Sequence, residues 1–414
     1  MAIGRNGLLV ALDIGSTKVS AFVARVDEGS HMRVLGIGHQ VSVGMRCGSV
    51  VDMDLLERSI RVTIDAAERM AGEIVSEVFV NMSSGQLGSQ TVGVDVEVSG
   101  KEVCEDDVHR VLKQAKSQAE PGQREVLHVI PTGYSIDGVR GIRDPRGMFA
   151  GRLGVDIHIV TAGQASVRNL VACVERCHLG VSSLVASPYA AGLGALVEDE
   201  KDLGVTLIDM GGGTTSIAIF YDGNLIWADS IPYGGEHVTH DIARGLSTPT
   251  EYAERMKTLY GSTLPSTADD RDMINVPMVG DSEGDSNTAV SRSALVQIIQ
   301  PRVEEIFELV RDRIGISGAA KLAGRRVVLT GGACQLQGAS ELAARILDRQ
   351  VRIGRPIRIR GLADSTAGPA FAACSGLLHY AASGQGDAQK EKRWDEEAPR
   401  RRLARMGEWL QSHL

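Results

Sequence analysis

Short apolar runs along the first half of the chain alternate with turns rich in glycine and threonine. The run at 8–12 ends in the turn 13–18, and two further apolar stretches follow at 19–26 and 34–37. Stretches of this length between turn residues are typical of buried strands. The first half therefore opens with a strand, a tight turn and two more strands.

The second half repeats this arrangement. An apolar run at 205–208 ends in the turn 209–215, and apolar stretches at 216–220 and 225–231 follow it on either side of the turn 222–224. One turn of this kind is common in proteins, but two in the same strand context are not. The repeat indicates gene duplication and predicts two similar domains that face each other.

Helical patterns follow each set of strands. Apolar residues at helical spacing predict helices around 56–67, 165–177, 303–310 and 340–347. Pro301 suits the first turn of a helix. We therefore expect the third of these helices to begin near Pro301.

Two stretches interrupt the duplicated pattern and look like insertions, near 84–160 and near 246–324. Within the second stretch, residues 261–291 are rich in Gly, Ser, Asp, Asn and Pro, which predicts a loop or a short hairpin. From 383 to 399 the chain is polar and charged, as in a flexible linker.

Composition narrows the functional classes. Hydrophobic residues make up 43% and charged residues 23%, as in ordinary globular proteins. Aromatic residues are only 4% and the net charge is −8, which argues against nucleic-acid binding. The first residues show no basic region followed by an apolar core and a cleavage site, and no apolar run approaches the roughly 20 residues that span a bilayer. We expect a cytoplasmic protein, unless something holds it to a surface.

The cysteines do not form a recognisable metal motif. None of the six belongs to a C-x-x-C pair, although Cys173 and Cys177 lie one helical turn apart beside His178. A metal site there would need a second pair of ligands. Free thiols in a reducing compartment are the better interpretation.

The two glycine turns predict phosphate binding. Glycine lets the backbone approach phosphate oxygens and present its N–H groups, and neighbouring hydroxyls add donors. Asp13 and Asp209 precede the turns and are candidates to hold Mg²⁺, directly or through water. The candidate phosphate-binding residues are Asp13, Gly15, Ser16, Thr17, Lys18, Asp209, Gly211, Gly212, Gly213, Thr214 and Thr215.

A third turn, at Gly331, Gly332 and Ala333, follows the strand-like segment 327–330 and precedes the helical pattern at 340–347. A double glycine between a strand and a helix can place a flat base against bare backbone. Taken alone, a purely structural turn explains it equally well.

The three turns in this order resemble the phosphate and adenosine motifs of the actin, Hsp70 and sugar-kinase superfamily. Within it, the chain resembles the FtsA family of bacterial cell-division proteins nearly end to end. The matching segments are 127–131, 174–177, 231–235, 301–302, 351–354, 376–380 and the basic C-terminus.

The resemblance implies an α/β fold of duplicated ribonuclease-H-like, actin-like ATPase domains around a nucleotide cleft, each half with an inserted subdomain. The implied parts are a first core (1A) at 1–83 and 161–203, an insertion (1C) at 84–160, a second core (2A) at 204–245 and 325–382, an insertion (2B) at 246–324, a flexible linker at 383–399 and a membrane-targeting amphipathic helix at 400–414.

The resemblance also implies further site residues. Glu254 and Lys257 would contact the nucleoside, although an exposed ion pair on a helix is the plain alternative. Gly234 and Gly235 would approach the nucleotide. Arg302 matches a position implicated in docking the C-terminal tail of the division GTPase FtsZ, where a cation would suit an acidic peptide. A solvated surface charge is the alternative for Arg302.

Ser187 is an informative departure. It falls where shape-determining bacterial actins carry an acidic residue, and serine is too weak a base to activate water unaided. We therefore assign no catalytic residue, and we expect at most a slow Mg-dependent ATPase or a nucleotide switch.

The last segment, 400–414, has an amphipathic pattern. Four arginines against one glutamate give it a local charge of +3 (4 − 1). Apolar and Trp side chains beside arginines favour the surface of an anionic membrane. A terminal helix docked on the protein is the alternative. The candidate membrane-binding residues are Arg401, Arg402, Leu403, Arg405, Met406, Trp409, Leu410 and Leu414.

Together, these observations predict a protein that binds ATP and Mg²⁺, associates with itself into filaments and tethers the FtsZ ring. Its place would be the cytoplasmic face of the inner membrane at the division site, as a peripheral protein that also recruits later divisome proteins. Two rivals are a phosphotransferase of the sugar-kinase branch and a pilus-assembly actin. The first would need a catalytic aspartate over a sugar pocket, and the Trp-containing basic terminus argues against the second.

Overall fold

The computed structural model describes residues 7–27, 32–83, 87–117, 122–279, 288–357 and 359–384. The strands are β1 (Leu8–Ile14), β2 (Lys18–Val26), β3 (Met32–Val41), β4 (Met45–Arg46), β5 (Ser49–Val50), β6 (Glu77–Met82), β7 (Gly88–Glu102), β8 (Arg124–Ile136), β9 (Val139–Ile142), β10 (Phe149–Gly163), β11 (Gly180–Ala186), β12 (Val205–Met210), β13 (Thr215–Tyr221), β14 (Asn224–Ile231), β15 (Met273–Val276), β16 (Thr288–Ser291), β17 (Arg326–Thr330) and β18 (Gln350–Ile353).

Helices connect and cover these strands. They are α1 (Met53–Ala71), α2 (Glu105–Ser117), α3 (Gln164–Arg176), α4 (Ser187–Ala195), α5 (Glu198–Leu203), α6 (Gly235–Gly245), α7 (Thr250–Tyr260), α8 (Arg292–Ile316), α9 (Ala339–Leu347) and α10 (Ala372–Ala382). Short 3-10 turns occur at Ala333–Gln335, Asp364–Thr366 and Pro369–Phe371. The helices that the apolar spacing predicted around 56–67, 165–177 and 340–347 are confirmed as α1, α3 and α9.

The duplication is visible in two five-stranded sheets with equivalent strand orders. The first sheet has the order β11-β6-β1-β2-β3, and the second has the order β14-β13-β12-β17-β18. In each, the first three strands in the chain pair antiparallel and the later strands add in parallel beside the first one. The predicted α/β fold class with two similar halves is therefore confirmed.

Two helices hold the halves together. Helix α10 packs against α4 and against strands β1, β2 and β6 of the first sheet, whereas α4 also contacts β12, β13 and β14 of the second sheet. Fully buried Phe22 and Phe220 belong to the same apolar core, although they lie on strands of different halves. Burial of such side chains, worth about 2–3 kcal/mol each, stabilises the arrangement of the two sheets.

The first insertion forms a sheet of its own. Strands β7, β10, β8 and β9 pair in that order, and α2 packs on β7 and β10 around a separate apolar core. This sheet also reaches the second half. Arg143 Nη2 lies 2.6 Å from Asp222 Oδ1, and Ser89 Oγ accepts a hydrogen bond of 3.0 Å from the amide of Ala228.

The second insertion contains α7, a hairpin and α8. Strands β15 and β16 pair antiparallel, so the hairpin predicted within 261–291 is confirmed. The predicted start of α8 near Pro301 is wrong, because the helix begins at Arg292 with Ser291 as its N-cap. Burial of Leu295 and Ile299 on the same face as later residues outweighs the hydrogen bond that a proline removes.

In the part of the chain that the structure describes, every helix is too short or too polar to cross a lipid bilayer. The membrane-targeting residues predicted within 400–414 lie outside the described residues, and so does most of the predicted linker.

Candidate functional site

The two glycine turns have the same backbone geometry. The amide of Gly15 donates to the carbonyl of Lys18 at 2.9 Å, and the amide of Gly211 donates to the carbonyl of Thr214, also at 2.9 Å. The preceding aspartates occupy equivalent places in register, since Asp13 lies opposite Ser20 and Asp209 lies opposite Ser216. The repeat in the sequence is therefore a repeat of structure.

The two turns lie directly against each other. A Cβ added to Gly212 would lie 2.4 Å from Thr17 Cγ2, and one added to Gly213 would lie 2.3 Å from Ser16 Oγ. Both distances are shorter than any normal contact, so only glycine allows this approach. The structure thus brings residues about two hundred positions apart to one place.

A cleft with a volume of about 150 Å³ opens beside the turns. The residues that line it are Asp13, Gly15, Ser16, Thr17, Lys18, Asn81, Ser83, Ser187, Asp209, Gly211, Gly212, Gly213, Thr214, Ser216, Gly331, Gly332, Pro369, Ala370 and Ala373.

Asp13 is buried at the end of β1 and held by a side chain from the neighbouring strand. Asn81 Nδ2 donates to Asp13 Oδ1 at 2.6 Å, and Asn81 Oδ1 accepts from the amide of Ile14 at 2.6 Å. Burial raises the pKa of Asp13, while the nearby charge of Lys18 lowers it. The carboxylate is fixed in direction at the edge of the cleft.

Asp209 occupies the equivalent position in the second half. Burial raises the pKa of Asp209 to about 7, with a further upward contribution from the charge of Asp13 and a downward one from Lys18. Because the charge of Asp13 opposes ionisation of Asp209, a bound cation would favour the state in which both carboxylates are ionised. Mg²⁺ typically binds through one or two carboxylates while it keeps several waters, so Asp13 and Asp209 fit a magnesium–phosphate group.

Lys18 crosses the cleft to a segment just before α10. Its Nζ donates to the carbonyl of Ala370 at 2.5 Å and lies 3.5 Å from the centroid of the Phe371 ring. Burial lowers the pKa of Lys18, whereas Asp13 and Asp209 raise it. A partly desolvated ammonium in this position suits an anionic ligand.

The third predicted turn lies against the end of β12, next to Asp209. Gly331 has φ +89°, and a Cβ there would lie 2.3 Å from the carbonyl oxygen of Met210. Its amide donates to the carbonyl of Pro369 at 3.2 Å. Gly332 lines the cleft, and Ala333 begins a 3-10 turn beside Gly235.

The other predicted contacts lie around the cleft rather than on its lining. Gly235 donates to the carbonyl of Gly211 at 3.0 Å, and a Cβ on Gly234 would lie 2.5 Å from that same oxygen. The buried hydroxyl of Thr215 donates to the carbonyl of Tyr233 at 2.8 Å, so it points away from the lining. The backbone at Gly234 and Gly235 therefore packs against the backbone of the second glycine turn at Gly211.

Glu254 and Lys257 lie on α7 next to this glycine segment. Lys257 Nζ donates to the carbonyl of Gly235 at 3.1 Å and to Glu254 Oε2 at 2.6 Å. Glu254 and Lys257 thus form the i,i+3 ion pair on a helix that was the alternative to nucleoside contact. Lys257 also contacts Gly235 beside the cleft.

Comparisons with known proteins identify the family. The family model "Cell division protein FtsA" matches residues 206–376, and the model "SHS2 domain inserted in FTSA" matches residues 84–161. The cell division protein FtsA of Rhizobium meliloti (strain 1021) is 46% identical over 98% of this chain and 95% of that protein. The FtsA of Escherichia coli (strain K12) is 36% identical over 93% of each.

The chain belongs to the FtsA family.

The family resemblance that the sequence motifs predicted is thereby confirmed, and so is a role in cell division. Among solved structures, the "PilM-PilN type IV pilus biogenesis complex" has a TM-score of 0.64 at 16% identity, covering 90% of this chain and 97% of that chain. MreB5 of Spiroplasma citri bound to ADP has a TM-score of 0.57 at 14% identity, covering 93% and 99%. At such identities these likenesses concern the fold, which is actin-like.

In this FtsA-family chain, Arg302 lies away from the cleft. Its Nε forms an ion pair of 2.5 Å with Asp241 Oδ2 on α6, and its other end contacts Glu305. The side chains of Arg302 and Asp241 are each 24% exposed. Because Arg302 already has two acidic partners, an acidic peptide would compete with them.

Several cleft residues were not assigned from the sequence of this FtsA-family chain. Asn81 interrupts the apolar run of β6 just where that strand reaches the cleft, and a lone polar residue in such a run was the available clue. No pattern in the sequence marks Pro369, Ala370 and Ala373 as cleft residues. They reach the cleft only because α10 packs against the first half.

The cysteines behave as free thiols in the described residues. Cys173 is buried, and the thiol of Cys177 donates to the carbonyl of Cys173 at 3.4 Å. Burial raises the pKa of Cys177 to about 11, which disfavours the thiolate that a metal needs. No group of three or more His, Cys, Asp or Glu side chains suited to a metal occurs within the described ranges.

Proposed function

We propose that this FtsA-family protein binds Mg-ATP in the cleft between its two halves. The observation that carries the proposal is the close approach of Gly212 and Gly213 to Thr17 and Ser16, which brings the two turns together at the cleft. Paired turns of this kind present backbone N–H groups and hydroxyls to one polyphosphate from two sides. Relatives of the same fold bound to ADP and AMPPNP support it.

Each residue set has a separate task in this proposal. The turns 13–18 and 209–215 hold phosphate oxygens, with Lys18 as the nearby cation. Asp13 and Asp209 hold Mg²⁺, directly or through water, and a bound Mg²⁺ would neutralise phosphate charge. Gly331, Gly332 and Ala333 support the base, and Glu254 and Lys257 contact the nucleoside.

We further propose that hydrolysis is slow. Ser187, at the start of α4, is buried in the cleft lining, and its oxygen accepts from Asn81 Nδ2 at 3.1 Å. A neutral hydroxyl is too weak a base to take a proton from water at neutral pH. A nucleotide that persists can act as a switch for assembly.

In the cell, we propose that the protein tethers the FtsZ ring to the inner membrane, forms membrane-bound filaments and recruits later divisome proteins. Family membership supports the division role, and we propose the subdomain boundaries that the resemblance implies. Arg302 contacts the FtsZ tail, and the segment 400–414 lies on anionic lipid. One short amphipathic segment binds reversibly, so filament formation strengthens attachment through avidity.

Isothermal titration of Mg-ATP into the full-length protein tests nucleotide binding. We expect heat from wild type that is lost with EDTA and is reduced at least tenfold in affinity by Asp13→Ala or Asp209→Ala. Asp270→Ala, which changes an exposed aspartate, is the matched control. A well-folded wild-type protein that releases or absorbs no heat would remove the proposal.

Liposome flotation tests the membrane role. The full chain should float with vesicles that contain phosphatidylglycerol and should stay behind with neutral vesicles. A chain that ends at Pro399 should float with neither. Equal flotation of both chains on anionic vesicles would contradict the assignment of 400–414.

A further inference from the structure

Asn81 joins three parts of the cleft through one side chain. It lies on β6, is 2% exposed, and contacts the backbone of Ile14, the carboxylate of Asp13 and the hydroxyl of Ser187. Ile14 and Asp13 belong to the first phosphate turn, whereas Ser187 begins α4. The amide thus fixes two separate elements of the lining relative to each other.

The direction of each hydrogen bond follows from simple donor and acceptor rules. The Ile14 amide can only donate, so the Asn81 atom that faces it at 2.6 Å is the carbonyl oxygen Oδ1. Asn81 Nδ2 must then face Asp13 and Ser187, and its two protons go to Asp13 Oδ1 and Ser187 Oγ. The amide has no freedom to flip without placing like groups together.

This arrangement sets the polarity of Ser187. Because its oxygen accepts from Asn81, its own proton must be donated elsewhere. Within the described residues, the hydroxyl of Ser187 has no protein acceptor for that proton, although the residue is 2% exposed and lines the cleft. A buried hydroxyl that lines the cleft with an unused proton can donate that proton to an acceptor bound there, such as an anionic oxygen.

We propose that Asn81 is a positioning residue that makes Ser187 a hydrogen-bond donor to a phosphate oxygen of the nucleotide and holds Asp13 in line for Mg²⁺. The inference rests on the proposed binding of Mg-ATP and adds two residues to that site. Ser187 then contributes to binding rather than to activation of water. The same amide that organises the site directs the Ser187 proton into the cleft.

A double-mutant cycle on the full-length protein tests this role. Affinity for Mg-AMPPNP is measured by calorimetry for wild type, Asn81→Ala, Ser187→Ala and the double variant. We expect each single change to weaken binding roughly tenfold, as loss of a charge-assisted hydrogen bond does. The double variant should bind about as well as the weaker single variant, because both changes remove the same donor.

Multiplicative effects in the double variant would overturn the inference, since they would show that Asn81 and Ser187 act independently. Asn275→Ala, at an exposed position on β15, is the matched control and should bind like wild type. Thermal melting of each variant separates loss of folding from loss of binding.

Asn81→Asp provides a second variant of the same shape. Its carboxylate still accepts from Ile14 but would also accept from Ser187, which turns the Ser187 proton away from the cleft. We expect more than a tenfold loss of affinity, with no further loss when Ser187→Ala is added. If Asn81→Asp binds with wild-type affinity, the positioning role of Asn81 is wrong but the proposed binding of Mg-ATP stands. If the wild-type protein does not bind, the proposed function itself is wrong.

Discussion

A Cβ on Gly213 would lie 2.3 Å from Ser16 Oγ, so the two halves of the molecule meet where a side chain is missing. The same Cβ would lie 2.9 Å from the backbone amide of Cys47 in the β4–β5 hairpin. The contact therefore holds a turn of the second half between two segments of the first half. A ligand that contacts both turns would face hydrogen-bond donors from both halves of the molecule at a fixed separation.

Gly213→Val should separate the two turns. Overpacking at a close contact typically costs about 1–3 kcal/mol, and the separation removes donors from one side of a bound phosphate. We expect at least a tenfold loss of Mg-ATP affinity in calorimetry. Gly133→Ala, where a Cβ meets nothing within 4 Å, is the control and should bind like wild type. Unchanged affinity in Gly213→Val would show that ligand does not bridge the turns.

Asp209→Asn should stabilise the ligand-free protein at high pH. Asp209 has a folded-state pKa of about 7 against 3.8 ordinarily. Below pH 4 the side chain is neutral in both the folded and the unfolded protein and causes no loss of stability. As the pH rises from 4 through 7, ionisation of Asp209 increasingly destabilises the folded protein. In metal-free buffer we expect a gain on the order of 2–4 kcal/mol at pH 8 and none near pH 4. Urea unfolding of wild type and Asp209→Asn at the two pH values measures this gain in unfolding free energy.

The same variant should lose magnesium-dependent nucleotide binding. A buried carboxylate that serves ligand binding destabilises the ligand-free protein, so its replacement should raise stability and weaken binding. An Asp209→Asn protein that gains no stability at pH 8 would show that ionised Asp209 does not destabilise the ligand-free protein.

His128→Gln should make the protein less sensitive to acid. Burial lowers the pKa of His128 to about 3, and its Nε2 accepts from the Ala186 amide at 2.9 Å. The unfolded chain takes up a proton near pH 6.5 but the folded chain does not, so stability is complete above pH 6.5 and falls as the pH drops towards 3. At pH 5 the penalty is about 2 kcal/mol.

Glutamine at this position keeps an acceptor for Ala186 and cannot be protonated. The difference in unfolding free energy between pH 7.5 and pH 5 should therefore shrink by about 2 kcal/mol in His128→Gln. The exposed His109 supplies the control variant His109→Gln, which should show the wild-type difference. An unchanged difference in His128→Gln would mean that acid destabilises the protein elsewhere, for example at His158.

Asp241→Asn should tighten binding of the FtsZ tail. Asp241 forms the 2.5 Å ion pair that occupies Arg302, and the asparagine leaves the arginine charge available to a peptide carboxylate. Fluorescence anisotropy with a labelled tail peptide should show about a threefold or larger gain, and Arg302→Gln should show a loss of similar size. Opposite or absent changes in both variants would remove Arg302 from the docking site.

The pattern of the sequence was sufficient for the local elements and for the duplication. Asp13 and Asp209 each end an apolar strand before a glycine turn, and strand ends in a buried sheet have few alternatives because their backbone must pair. Where local preference competes with burial, the pattern was misleading. Pro301 resembles a helix start, yet the apolar face that continues from Leu295 to Ile306 keeps it inside α8.

The sequence by itself determined the candidate residues for the proposed phosphate binding, because the turn of Asp, Gly and Thr occurs twice in the same strand context. Only the tertiary structure decided which of them meet. The contact of Gly213 with Ser16, the hydrogen bond of Lys18 to Ala370 and the three bonds of Asn81 join residues far apart in the chain. Such contacts depend on how two sheets pack around α4 and α10, and packing is a property of the whole core rather than of any one segment.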